Sequence, residues 1–363
     1  MSERANPAPG GERAERTPGT SVTLLDVAKA AGVSLATASR ALNGSTRRVR
    51  PDLHERVLAA ADALHYSANA QAQAMARGRT NIVGLVLSDV ADPYFSSIAA
   101  GAIRAAEEQH LVVTMACTFG REERELDYLA ALRGQRARAV IIVGSRVQNR
   151  DLLDRLAAEV RAFEQAGGRV AFVSQRKIPA DTVVVENRGG ARALAEALCG
   201  LGHRRFAVLA GRVDLLTARD RCAGFREGAA RAGVRIEAGD VVSGGFTRDG
   251  GYAAMNELLD RGTDATCVFA VNDVMAVGAM AALRDRGVEL PAGMAVAGFD
   301  DIATLRDVTP ALTTVRLPLE ELGAGAVEMV LQESAEQPRV RRVRGEVVLR
   351  ESTPVFDQAA VRA

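Results

Sequence analysis

Two sets of side chains have the types and the spacing to do chemistry. The first lies near the start of the chain: Leu35, Ala36 and Arg40, with Thr37 and Ser39 among them, followed by Arg47, Arg48 and Arg50. Arginine can reach a guanine edge or a phosphate, and Leu35 and Ala36 offer apolar contact of the kind a thymine methyl accepts, so Leu35, Ala36 and Arg40 suit base edges. Thr37, Ser39, Arg47 and Arg48 suit phosphates, the usual partners of hydroxyls and guanidiniums on duplex DNA. The blander alternative for the arginine run is a solvated charge cluster. The second set is spread along the chain: Asp92, Phe95, Arg176, Asn187, Arg221, Asn272 and Asp300. Carboxylates, amides and guanidiniums with one phenyl face suit a small polyhydroxylated ligand that both donates and accepts hydrogen bonds. Each of them alone has a plainer use as a helix cap or surface charge.

The first set needs a helix to present it. Thr23 followed three residues later by Asp26 reads as a helix start, and the helix Leu24 to Ala31 stops at Gly32. Ser34 caps a second helix, Leu35 to Leu42, and the tight turn between them makes a helix-turn-helix. A third amphipathic helix starts at Pro51 and repeats apolar residues at Leu53, Val57, Ala61 and Leu64, which closes a small core. Any small helical bundle contains such pieces; the exposed Leu35, Ala36 and Arg40 edge is what favours DNA. After it, Asn69 caps an alanine-rich stretch too short to be a stable helix alone, so it reads as a conditional helix. Met75, with Ala74 beside it and Arg77 and Arg79 after it, has the shape of a minor-groove wedge, although composition by itself suggests a plain linker.

The second set needs strand ends. Apolar runs Ile82 to Leu87, Leu111 to Ala116, Ala139 to Val143, Arg169 to Val173, Phe206 to Leu209, Thr266 to Val271 and Met294 to Gly298 alternate with amphipathic helical stretches, as in a parallel α/β sheet. Two lobes facing across a cleft accommodate about 280 residues more naturally than one sheet. Ligands in such folds bind beyond the carboxyl ends of strands, and polar residues recur there: Asp92 to Phe95, Arg176, Asn187, Asn272 and Asp300 follow strands, and Arg221 opens the helix after the Phe206 strand.

Composition narrows the classes further. The 363 residues carry 46 basic and 45 acidic side chains, but residues 1–80 hold eleven basic against seven acidic, a net of +4, and the rest is −3. A basic head on a mildly acidic body is what a nucleic-acid-binding module on a soluble body looks like. The longest apolar runs are far short of the ~20 residues a membrane helix needs. Residues 1–20, rich in Pro, Gly and charge, read as a disordered leader without a signal peptide. The four cysteines lack a Cys-x-x-Cys pair, which argues against disulfides or zinc and for a reducing cytoplasm. No nucleophile elbow, HExxH motif, P-loop or complete dinucleotide fingerprint is present, and His54, His65, His110 and His203 are isolated, so no catalytic residue, metal or cofactor is expected. His203, in a Gly-His-Arg-Arg turn after a helix, reads as a capping or dipole residue. Two other classes stay in view: a solute-binding protein of a transport system, and an α/β enzyme using Asp92 or Asp300 as acid or base.

The segment Val22 to Thr80, with Leu25-Asp26-Val27-Ala28, Ala31-Gly32-Val33-Ser34, Ala36-Thr37-Ala38-Ser39-Arg40-Ala41-Leu42-Asn43 and Gly78-Arg79-Thr80, closely resembles the headpiece and hinge of the lactose-repressor and galactose-repressor family of bacterial transcription factors. Asp92-Pro93-Tyr94-Phe95, Gly202-His203-Arg204-Arg205, Arg221 with Gly224-Phe225, Asn272-Asp273 and Gly298-Phe299-Asp300-Asp301 resemble its effector-domain motifs, so the resemblance covers nearly all but the leader. Family members usually have Pro where Ala68 stands and Leu where Met75 stands. The resemblance implies a multidomain protein: a helix-turn-helix headpiece (21–68), a hinge helix and linker (69–80) and a two-lobed, periplasmic-binding-protein-like effector and dimerisation domain (81–363), the chain crossing between lobes more than once. It implies a dimeric regulator, most often a repressor, that binds a near-palindromic operator, inserts Met75 into the minor groove, and holds a small effector at Asp92, Phe95, Arg176, Asn187, Arg221, Asn272 and Asp300. A sugar is the family-weighted effector, with a nucleobase or nucleoside as the alternative.

Overall fold

The computed structural model describes residues 22–43, 49–66, 79–333 and 335–356, in two compact units that divide after residue 77. In the first unit, α1 (Leu24–Ala31), α2 (Leu35–Asn43) and α3 (Pro51–Ala63) pack together. Thr23 and Asp26 close a capping box: Thr23 Oγ1 accepts from the Asp26 amide at 3.3 Å, and Asp26 Oδ2 accepts from the Thr23 amide at 2.9 Å. Gly32 then takes φ 61°, a left-handed turn that costs glycine little, and the chain reverses into Ser34, whose Oγ accepts from the Thr37 amide at 3.1 Å. Val27, Ala28, Ala31, Ala38, Ala41, Val57 and Ala61 form the core, small enough for three short helices to approach closely. Arg56 Nη2 donates to the Ala31 carbonyl at 2.6 Å, which ties α3 to the turn between α1 and α2.

The second unit opens with β1 (Ile82–Leu87), α4 (Pro93–Glu107), β2 (Val112–Cys117), α5 (Arg124–Gly134), β3 (Ala139–Val143), α6 (Arg150–Gln165), β4 (Arg169–Val173) and β5 (Asp181–Val185). It continues with α7 (Asn187–Gly200), β6 (Phe206–Gly211), α8 (Leu216–Arg231), β7 (Val241–Ser243), α9 (Arg248–Asp260), β8 (Cys267–Ala270), α10 (Asp273–Asp285) and β9 (Ala295–Ala297). It closes with β10 (Thr314–Arg316), α11 (Leu319–Leu331), β11 (Val340–Val343) and β12 (Glu346–Val348).

Two parallel sheets result, ordered β11-β5-β4-β3-β1-β2 and β7-β6-β8-β9, with β10 and β12 paired antiparallel beside them. Both sheets reverse their strand order beside the first strand: between β1 and β3 in one, between β6 and β8 in the other. In open α/β folds ligands bind at such reversals, beyond the carboxyl ends of the strands. The chain leaves the first lobe after β5, returns from β10 into α11, which packs on α4, adds β11 to the first sheet, and passes back to β12. The crossing between lobes expected from the family resemblance is therefore threefold.

No periodicity in the sequence marks β7, α9, β10, β11 or β12. β7, β10 and β12 are three residues each, too short for an alternation to register, and α9 begins on Arg248-Asp249-Gly250-Gly251, which reads as a loop until Thr247 Oγ1 is seen accepting from the Gly250 amide at 3.1 Å. One boundary matters for function. Helix α8 starts at Leu216, so Arg221 sits in its second turn and does not open the helix. Gly224 lies where a Cβ would strike the Arg188 carbonyl, and its absence lets α8 settle on α7 and carries Arg221 up to Asn187.

Candidate functional site

On α2 the buried face is Ala38 and Ala41, and the opposite edge is open: Leu35 is 48% exposed, and Ala36 and Arg40 are exposed with it. Thr37 and Ser39 are half-buried, and the Thr37 hydroxyl lies 2.8 Å from Ser34 Oγ. Leu25 on α1 and Leu58 on α3 are as exposed as Leu35, so what singles out α2 is the exposed arginine beside its apolar edge. Arg47, Arg48, Ala74 and Met75 lie outside the described residues.

In the second unit the two reversals face one another across a cleft of about 630 Å³. Six of the seven ligand residues expected from the sequence line it: Asp92, Phe95, Asn187, Arg221, Asn272 and Asp300. Arg221 organises its floor. Its Nε donates to Asn187 Oδ1 at 2.8 Å, its Nη1 to the Val271 carbonyl at 2.7 Å and to Asp300 Oδ2 at 3.2 Å, and its Nη2 to Asp300 Oδ1 at 2.7 Å. The guanidinium stacks on the Phe299 ring with its carbon 3.9 Å from the centroid. Asp92 caps α4 by accepting from the Tyr94 amide at 2.9 Å, and Asn272 caps α10 by accepting from the Met275 amide at 3.0 Å. Helix capping and cleft lining are thus two uses of the same residues, not rival explanations.

Burial pushes the Asp300 carboxyl up to about 7, with the Arg221 charge pulling the other way. Burial also raises Asp92, against the bond from the Tyr94 amide, and Asp89 adds a like charge.

Arg176 is a correction. Its side chain is exposed and outside the cleft lining, because the chain leaving β4 turns its next inward positions, Ser174 and Gln175, to the cleft and then buries Ile178 and Ala180. Gln175 stands where Arg176 was expected: its Oε1 accepts from the Arg146 amide at 2.8 Å, and its Nε2 donates to Thr217 Oγ1 of the other lobe at 2.7 Å. His203 caps α7 as expected, but through its backbone: its amide donates to the Leu198 carbonyl at 3.2 Å. Its ring is buried against Phe356 and bonded to the Pro354 carbonyl at 3.1 Å, and burial lowers its pKa, so a neutral ring supplies no charge to the dipole of α7.

Several cleft residues carried no signal in the sequence. Glu125 lines the cleft and is held by two bonds of 2.6 and 2.7 Å from buried Arg146. The loops after β3 and β6 join across the lobes: the Leu216 amide donates to the Arg146 carbonyl at 2.9 Å, the Gln148 amide to the Asp214 carbonyl at 3.2 Å, and the Thr217 amide to Ser145 Oγ at 3.0 Å. Phe119 and Phe246 also line the cleft. Only a fold can show that these positions meet.

No helix among the described residues is long and apolar enough to cross a membrane. Residues 23–69 match the domain family described as bacterial regulatory proteins, lacI family, and residues 195–353 match the periplasmic binding protein-like domain. The HTH-type transcriptional regulator GalS of Salmonella typhimurium is 34% identical over 317 residues, 86% of this chain and 90% of that protein. The structure of a lac repressor dimer bound to operator and the anti-inducer ONPF superimposes with a TM-score of 0.79 at 27% identity, covering 92% of this chain and all of the other. A complex of the transcriptional regulator CelR with cellobiose gives a TM-score of 0.66 at 31% identity, over 91% of this chain and 99% of the other.

Proposed function

The chain belongs to the lacI family of bacterial regulatory proteins, and from that premise we propose that it represses transcription as a dimer on a near-palindromic operator, its grip set by a sugar in the interlobe cleft. It is a transcriptional regulator, as its relatives are, and not an enzyme. Leu35, Ala36 and Arg40 read base edges, and Thr37, Ser39, Arg47 and Arg48 hold phosphates. Ala74 and Met75 of each copy enter the central minor groove and kink the duplex. The observation that carries this reading is the exposed Leu35–Ala36–Arg40 edge on a helix whose other face builds the headpiece core.

In the body, Asp92, Phe95, Asn187, Arg221, Asn272 and Asp300 hold the effector. A sugar is supported by the mixture of carboxylates and amides on the cleft wall and by the cellobiose complex of a similar regulator. An effector that favours one lobe arrangement biases the hinge, and such couplings are typically ~1–3 kcal/mol. The test uses the full chain. Duplexes enriched from a random pool are measured by fluorescence anisotropy with and without sugars, beside sedimentation of the free protein. A palindromic consensus, a dimer and sugar-dependent affinity support the reading. Absence of sequence preference sinks it.

A further inference from the structure

The cleft lies beyond the carboxyl ends of the strands in the first sheet. The chain enters the second unit at the opposite end, where β1 and its neighbour β3 begin. Three arginines are gathered there. Arg79 stands just before β1, and Arg136 and Arg138 belong to the short connection from α5 into β3. Backbone bonds tie the two segments together. The Thr80 amide and hydroxyl both donate to the Arg136 carbonyl, at 2.9 and 3.0 Å, and the Arg138 amide donates to the Ile82 carbonyl at 2.8 Å. Arg136 is exposed and takes φ 53°, a left-handed conformation that a residue with a long side chain adopts at a cost.

Their neighbours are answered and they are not. Arg133, one turn before Arg136, meets Glu159 at 3.6 Å, and Arg169, at the start of β4, meets Asp181 at 3.3 Å. Among the described residues no carboxylate comes within ion-pair distance of Arg79, Arg136 or Arg138. Arg138 is half-buried, and burial and then the charge of Arg79 lower its pKa. Like charges kept side by side without a counter-ion repel one another, and an anion between them reverses the sign of the interaction. The dipole of α5 accounts for Arg136, which follows its C-terminus, but not for Arg79 or Arg138, which lead into strands.

Chain length indicates which anion. Met75 and Arg79 are four residues apart, so at most roughly 14 Å of extended chain separates them. With Met75 in a minor groove only about 6 Å wide, the phosphates on the walls of that groove come within reach of the arginine cluster.

We infer that Arg79, Arg136 and Arg138 form a phosphate clamp on the body of the protein, which grips the operator backbone beside the hinge and adds affinity without reading sequence. The inference rests on the reading of Met75 as a minor-groove wedge. The test is fluorescence anisotropy of the full chain on the selected operator and on a scrambled duplex, over a range of potassium chloride concentrations. It compares wild type with R136Q/R138Q, with R136K/R138K and with R226Q/R342Q, which removes the same charge from exposed arginines elsewhere. R136Q/R138Q weakens both duplexes by the same factor and flattens the slope of log affinity against log salt by about 3 to 4, because each lost phosphate contact removes about 0.9 and a dimer carries four such arginines. The lysine pair keeps the charges and restores most of the slope, and the control pair keeps the wild-type slope. An unchanged slope in R136Q/R138Q, whatever happens to its urea midpoint, leaves these arginines a structural role and overturns the clamp. An equal fall in the control pair assigns the effect to net charge and overturns it too, as does a loss confined to the operator. M75A tells failure of the clamp from failure of the hinge reading. If M75A loses operator affinity while R136Q/R138Q keeps the wild-type slope, the hinge stands without the clamp, and if neither variant changes binding, both readings fall.

Discussion

Arg221 and Asp300 come from different segments of the second lobe and meet through two hydrogen bonds of 2.7 and 3.2 Å, both side chains almost fully buried. Burying two charges costs several kcal/mol, which the pair offsets with the help of Asn187 and the Val271 carbonyl, which take two more of the five guanidinium protons. Arg221→Ala leaves a buried carboxylate unpaired and is expected to cost ~3–5 kcal/mol. Asp300→Asn leaves the buried Arg221 charge uncompensated and turns an amide NH2 toward a guanidinium N–H, and is expected to cost at least as much. In both variants the thermal shift produced by effector is expected to vanish. A normal shift in both removes the cleft floor from the binding site.

Glu125 makes the same argument in the first lobe. Its two bonds from Arg146 are short, both side chains are buried, and Arg146 Nε also donates to Ser174 Oγ at 3.0 Å. Glu125→Ala strands a buried guanidinium, with an expected loss of ~3–5 kcal/mol by denaturant titration, whereas the double replacement by methionines is expected to restore most of it. A single variant as stable as wild type would mean that water reaches Arg146.

The contrast between these two pairs shows what a sequence can carry. Arg221 and Asp300 stand in motifs with a legible place, one after a strand and one in a Gly-Phe-Asp-Asp run, and both line the cleft. Glu125 sits among Glu122, Glu123, Arg121 and Arg124, where it reads as one more solvated charge; only the packing of α5 turns it inward. The headpiece is legible because caps, turn and apolar spacing are local, and the described residues repeat them at Thr23, Gly32, Ser34 and Pro51. Arg176 falls outside the cleft lining because the direction of a side chain just past a strand depends on the bend that follows. Cross-lobe contacts such as Gln175 to Thr217 depend on how two sheets meet, and no spacing along the chain encodes that.

His203 gives the molecule a pH dependence whose sign follows from its burial. The ordinary imidazole pKa is about 6.5, and burial lowers it in the fold. Nε2 faces the Pro354 carbonyl and Nδ1 is buried without a partner, so a second proton has nowhere to bond. The unfolded chain therefore takes up the proton first. The contribution is fully present above about 6.5 and is lost as pH falls toward the lowered folded value. Asp300 and Asp273, pushed by burial up to about 7 and about 6, work in the opposite sense: their contribution is lost as pH rises through those values. Wild type must therefore be compared with His203→Gln, which keeps a donor for Pro354. Between pH 7.5 and 5.5 the variant is expected to lose less stability on acidification, read from urea midpoints. Parallel curves would assign the acid limb to other groups.

Arg40 carries the proposed readout with little help. Leu35 and Ala36 share its exposed edge but have no donors or acceptors in their side chains, so they can sense a methyl group or a shape and not a hydrogen-bonding pattern. Arg40→Ala is therefore expected to weaken binding to the selected operator by ~1–3 kcal/mol and to relax preference at one base pair in each half-site. Thr37→Ala is the control of opposite kind. It removes a hydroxyl assigned to phosphate, and its effect is expected to be similar on matched and mismatched duplexes. Arg40 also carries a charge, so competition between the two duplexes must be measured at constant salt, where the nonspecific phosphate term cancels. If Arg40→Ala weakens every duplex equally, the arginine is a phosphate contact and sequence is read by DNA shape around the hinge.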